Sequence, residues 1–155
     1  MNAEFINPFL TSLLDVMKTM AQIDLQPGKV DVKENTIAQG DVSGLIGMVG
    51  PQLKGSFSIS FDEALGLKTY SNMLGEESPK IDEQVADMVG EITNMVSGGA
   101  KKILGEKGFE FDMAKPMVVT GKNHTINHKV NGPKLIMPFS SEFGKAVIEI
   151  SFEES

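Results

Sequence analysis

Two residues three apart, Glu91 and Asn94, carry the side chains in this sequence best suited to chemistry on another molecule. A carboxylate supplies a charge and hydrogen-bond acceptors. A carboxamide both donates and accepts without bringing charge, so it can hold a water beside an anionic group. Both lie in DMVGEITNMVSGGAKKIL, residues 87–104, where Asp87 stands four before the glutamate and Gly98 four after the asparagine. On a helix, side chains three apart emerge next to each other.

The surrounding periodicity predicts such a helix, from about Asp82 to Leu104. With Val85 set at zero, Met88, Val89, Ile92, Val96, Gly99 and Ile103 fall within roughly 60° of it at about 100° per residue. That apolar stripe is wide enough to face a core. Asp87, Glu91, Asn94 and Gly98 gather at roughly 180° to 240°, toward solvent. A solvated helix face is the ordinary reading of such a group, and three features count against stopping there. Asparagine is a poor helix former and an odd choice in mid-helix unless its amide is required. Gly90, Gly98 and Gly99 each cost up to ~1 kcal/mol relative to alanine inside a helix. Close packing would explain Gly99 on the apolar stripe. Gly98 shares the Glu91 and Asn94 face, where a missing side chain creates clearance for a docking protein.

Other elements must position this helix. Asn7 as cap, Pro8 at the first helical position, and Phe9, Leu13, Val16, Met17 and Met20 on one face predict a first helix ending before a Pro27-Gly28 turn. Val30, Val32, Ile37, Leu45, Ile46, Met48 and Val49, broken by Gly40, Gly44, Gly47 and Gly50, predict short strands with tight turns. GSFSISF alternates, with Phe57, Ile59 and Phe61 pointing one way and serines the other. Asp62 should cap a second helix to about Leu74, closed by GEESP. GFEFDMAKPMVVTG reads as a loop and a strand. The remainder reads as two or three antiparallel strands, with turns at Asn131-Gly132-Pro133 and near Gly144. Helix, strands, two helices and strands, without βα alternation, predict an α+β fold with helices on one side of a largely antiparallel sheet. A single domain spanning 1–155 suits this length.

Composition removes whole classes of function. A net charge of −7 argues against a nucleic-acid partner. No apolar run approaches the ~20 residues of a membrane span. The N-terminal MNAEFINPFL has no signal-peptide pattern, so a cytoplasmic protein is expected. The chain has no cysteine, hence no disulfide or thiolate metal site.

The spaced series Asp87, Glu91, Asn94, Gly98 resembles the motif of the CheC/CheX/FliY group of bacterial chemotaxis phosphatases, position for position. The likeness extends more loosely to YSNMLGEE and to the C-terminal strands. CheC-like members carry two such motifs; the first helix here, NPFLTSLLDVMKTM, offers no E-x-x-N, so the chain is most similar to the CheX type. The resemblance implies a cytoplasmic homodimer that hydrolyses the aspartyl phosphate of a response regulator, CheY, in chemotaxis or another two-component pathway. It implies Asn94 as the residue positioning the attacking water, Glu91 as the carboxylate docking onto the regulator's active-site lysine, and Asp87 and Gly98 in support. No metal or cofactor is expected on this chain; Mg2+ is expected on the regulator. The alternative is a module of the same fold that binds a regulator or signalling complex without hydrolysing anything.

The remaining candidates read as ordinary. His124 and His128, in HTINH, have no third ligand nearby and are expected at the surface rather than on a metal. GLIGMVG lacks the strand-to-helix turn that cradles phosphate. The sequon Asn123-His124-Thr125 means nothing without secretion. The methionines are expected mainly in the core, and GEESP and FEES are expected to be solvated.

Overall fold

A computed structural model describes residues 3–154 of the chain; Met1, Asn2 and the closing Ser155 of FEES lie outside the described residues. Three helices run over Ala3–Ala21 (α1), Glu63–Leu74 (α2) and Glu83–Glu106 (α3). The strands are Gln26–Pro27 (β1), Asp31–Val32 (β2), Val42–Val49 (β3), Leu53–Phe61 (β4), Asp112–Met113 (β5), Met117–Thr120 (β6), Lys134–Ser140 (β7) and Lys145–Glu154 (β8). They form one antiparallel sheet ordered β1-β7-β8-β4-β3-β5, with β2 also pairing with β7 and β6 with β3. The expected α+β architecture is the observed one.

The helices pack on one face of the sheet. Phe57, Ile59 and Phe61 of β4 and Ile148 and Ile150 of β8 are buried there with Phe9 and Leu13 of α1 and Val89 and Ile92 of α3. The Phe9 and Phe57 rings lie 4.7 Å apart. Apolar burial of this kind stabilises by about 1.5–3 kcal/mol for each large side chain. The β4 serines point to the opposite face, as the alternation predicts, and that face is covered as well. Ser56, Ser58 and Ser60 are buried, as are Ser43, Glu149 and Ser151. Ile126, His124 and His128 from the irregular segment between β6 and β7 lie over them, so HTINH is a covering loop rather than a strand.

Local corrections have local causes. α1 begins at Ala3 rather than after an Asn7 cap, because Ile6 is fully buried and draws the preceding turn into the core. Pro8 therefore sits in the second turn, where its ring removes one donor from the helical ladder. Met20 is 42% exposed, off the buried stripe of Phe9, Leu13, Met17 and Ala21. Pro27 is not in a turn but pairs with Phe139 at the sheet edge, a position where a missing N–H is tolerated. Gly44 and Gly47 do not break the chain; they lie inside the continuous strand β3. The methionines divide between the core (Met17, Met48, Met88, Met137) and the surface, where Met117 is 61% exposed.

Candidate active site

The orientation of α3 is fixed from three sides. At its start the Asp82 carboxylate accepts from the Val85 amide at 3.0 Å and from the Ser78 hydroxyl at 3.0 Å. The bond from Val85 outweighs partial desolvation and, with Ser78, holds the Asp82 carboxyl below its ordinary value. In the middle, Thr93 is fully buried against β3 at Gly44. A Cβ on Gly44 would stand 2.9 Å from the Thr93 Cβ and overlap its hydroxyl. The Thr93 hydroxyl donates instead to the Val89 carbonyl at 2.7 Å. Farther along, Gly99 admits Ser12 of α1, whose hydroxyl donates to the Val96 carbonyl at 2.8 Å. Helix and sheet meet through glycine on one side, helix and helix on the other.

Thr93 adjoins Asn94, so the contact that buries the first sets the direction of the second. Asp87, Glu91 and Asn94 are all exposed, and none makes a side-chain hydrogen bond or ion pair within the described residues. A Cβ on Gly98 would meet nothing within 4 Å, so packing within the chain does not account for that glycine. Gly90, by contrast, is buried, and a Cβ there would stand 3.3 Å from a methyl of Val118. The buried stripe includes Thr93, Ser97, Ala100 and Leu104 in addition to the expected valines and Ile92, while Gly99 and Ile103 sit half-buried at its margin. The expected polar face remains the outer one. From Asp87 to Gly98 it runs about 16 Å along the helix.

The sequence reading missed the neighbours of this face. Tyr70 of α2 donates to the Gln84 side chain of α3 at 2.8 Å, tying the two helices together beside Asp87 and Glu91. Thr93 and Gly44 were equally unmarked, since a glycine within a strand carries no local sign of what approaches it.

The histidines require a correction. They are not surface residues. His124 bonds Ser43 at 2.6 Å and the Gly121 carbonyl at 2.6 Å. His128 bonds Ser56 at 2.6 Å and Glu149 at 3.2 Å, and Glu149 also pairs with Lys33 at 2.6 Å. Burial opposes ionisation of Glu149, but the hydrogen bonds and charges of His128 and Lys33 outweigh it and hold the carboxyl below its ordinary value. Among the described residues no group of three or more His, Cys, Asp or Glu could hold a metal ion, and no helix is long and apolar enough to cross a membrane.

The fold is thus α+β, with a carboxylate and a carboxamide that have no partner among the described residues presented side by side on one helix. Residues 42–140 match the family model described as Chemotaxis phosphatase CheX, and the chain belongs to that family. It is 28% identical over 141 residues to the CheY-P phosphatase CheX of Thermotoga maritima, covering 90% of this chain and 89% of that one. The structure of chemotaxis protein CheX from Vibrio vulnificus is 63% identical with a TM-score of 0.92, covering 97% of this chain and 100% of that one. A CheX from Borrelia burgdorferi, solved as a CheX-CheY-BeF3-Mg2+ complex, is 30% identical with a TM-score of 0.82, covering 99% and 100%.

Proposed function

We propose that this chain dephosphorylates an aspartyl-phosphorylated, CheY-like response regulator, with Asn94 positioning the attacking water. The observation that carries the reading is the pair Glu91 and Asn94, exposed side by side and without partners on a helix held from three directions. The relatives' phosphatase and CheY-complex descriptions support the substrate class. In the reaction, water attacks phosphorus in line with the bond to the aspartate oxygen. That bond breaks, the aspartate carboxylate leaves, and phosphate and a proton are released. An acyl phosphate has a good leaving group, so placement of the water is the main requirement, as in other phosphoryl transfers. The Asn94 amide serves that need without repelling the phosphoryl oxygens.

Glu91, one turn away, pairs with the lysine beside the phosphorylation site and so registers Asn94 over the phosphorus. Asp87 supports docking, and Gly98 leaves room for the regulator's surface. Mg2+ in this reading belongs to the regulator. A homodimer is part of the reading too, and sedimentation should report about twice the 16.7 kDa chain mass; a monomer at assay concentration would remove that part. The test of function is decay of the phosphorylated regulator with and without the protein, beside Asn94→Ala. Acceleration by the parent that Asn94→Ala abolishes is the expected outcome. Binding without acceleration would favour the non-catalytic module instead.

A further inference from the structure

A receiver's acyl-phosphate site looks much the same from one response regulator to the next. Discrimination between regulators therefore has to come from contacts outside it. Beside Glu91 the structure offers one place for such a contact: an open groove of about 420 Å³ between the end of α2 and the first half of α3. Its floor is the buried Tyr70 and Met88, and its wall is Met73 and Leu74. Leu74 is 53% exposed at the lip, a large apolar side chain left uncovered at the end of its helix. The rim carries Glu76, Asp87 and Glu91, and no lysine or arginine lines the groove.

We propose that this groove seats a lysine or arginine of the response regulator, distinct from the active-site lysine met by Glu91, and that it selects the regulator. The inference rests on the phosphatase reading above. A long basic side chain fits both parts of the groove at once. Its aliphatic stem lies along Met73, Leu74 and Met88 while its charged head reaches Glu76 and Asp87. Methionine, unbranched and polarisable, adapts to such a stem. The carboxylates also act on the floor of the groove. Burial first, then the charges of Glu76 and Asp82, push the Tyr70 phenol above its ordinary value. The carboxylates of Glu76, Asp87 and Glu91 around the rim, with no basic side chain lining the groove, favour a cation there. The bond from Tyr70 to Gln84 holds the two helices at the spacing that keeps the groove open.

The test uses two surface substitutions, Leu74→Lys and Glu76→Lys, both at exposed positions where folding should be unaffected. Steady-state dephosphorylation should show KM for the phosphorylated regulator raised about tenfold, with turnover at saturation within about twofold of the parent. The dissociation constant for the regulator loaded with beryllofluoride and Mg2+ should rise in parallel. Glu76→Lys should recover affinity for a regulator whose facing basic residue is changed to glutamate, a response that a merely structural effect would not give. Unchanged KM and dissociation constant in both variants, beside an active parent, would overturn the groove and leave the phosphatase reading standing. A parent that neither binds nor dephosphorylates the regulator would overturn both.

Discussion

Polar side chains collect in two regions of this molecule, and they are treated in opposite ways. Behind the sheet, Ser43, Ser60 and His124 form one buried chain of hydrogen bonds, and Ser56, His128, Glu149 and Lys33 form another. Along the outer face of α3, Asp87, Glu91 and Asn94 have no partner among the described residues and face water. Leaving a buried polar group unpaired costs about 1–3 kcal/mol, and of the buried polar side chains behind the sheet only the Ser58 hydroxyl lacks a partner among the described residues. An exposed polar group bears no such cost and stays available for another molecule. The contrast separates residues that hold the structure together from residues left available for another molecule, although both regions are built from the same few residue types.

The contrast is broken most severely by disturbing the rear network. Glu149→Gln leaves the Lys33 ammonium, whose side chain is only 3% exposed, without its counter-charge. Loss of one partner of a buried pair should lower unfolding free energy by about 3 kcal/mol, read from urea denaturation. Turnover of the folded fraction should be little changed, because Glu149 projects from the sheet face opposite α3. The same carboxylate makes stability depend on pH. In the unfolded chain it titrates at its ordinary 4.5, and in the folded chain below that. Its contribution is therefore complete above 4.5 and is lost as pH falls through the native value. The parent's urea midpoint should fall along that acid limb, and in Glu149→Gln the limb should be shallower. An identical acid limb in both proteins would show that Glu149 is not its source.

Asn94→Ala is the converse experiment. Dephosphorylation should fall by about 10²-fold or more, since a misplaced water is worth at least that. Unfolding free energy should stay level or rise by about 0.5 kcal/mol, because alanine is the better helix former and no described residue loses a partner. A large stability loss, measured by the same urea series, would mean that Asn94 is bound into the fold after all.

How much of this division was legible in the sequence depends on how local its causes are. The cap at Asp62, the extent of α3 and the outward direction of Glu91 and Asn94 follow from residues within a turn or two of each other. The second face of β4 did not. Alternation shows that Ser56, Ser58 and Ser60 point away from Phe57 and Ile59, but not that a loop some seventy residues downstream, with His128 bonded to Ser56, lies over them. The histidines were misplaced for the same reason. Gly44 resembled a turn because its requirement, room for Thr93, comes from a helix about fifty residues away. The groove beside Glu91 depends on where α2 ends against α3, which no local pattern encodes.

Glycines give the finest test of the comparison, since Gly44 and Gly98 flank opposite sides of α3. Gly44→Ala places a methyl group into the Thr93 side chain, with backbone on one side and a packed helix on the other. Overpacking of that kind should cost about 1–3 kcal/mol. Activity should fall as well, because α3 cannot shift without moving Asn94. Gly98→Ala meets open space. It should stabilise the helix by about 0.5–1 kcal/mol, visible as a raised thermal midpoint. A larger side chain there separates the two explanations of this glycine. If Gly98 is clearance for the regulator, Gly98→Leu should keep the stability gain while KM for the phosphorylated regulator rises. An unchanged KM would leave Gly98 without a role in docking, and the acting surface of α3 would end at Asn94.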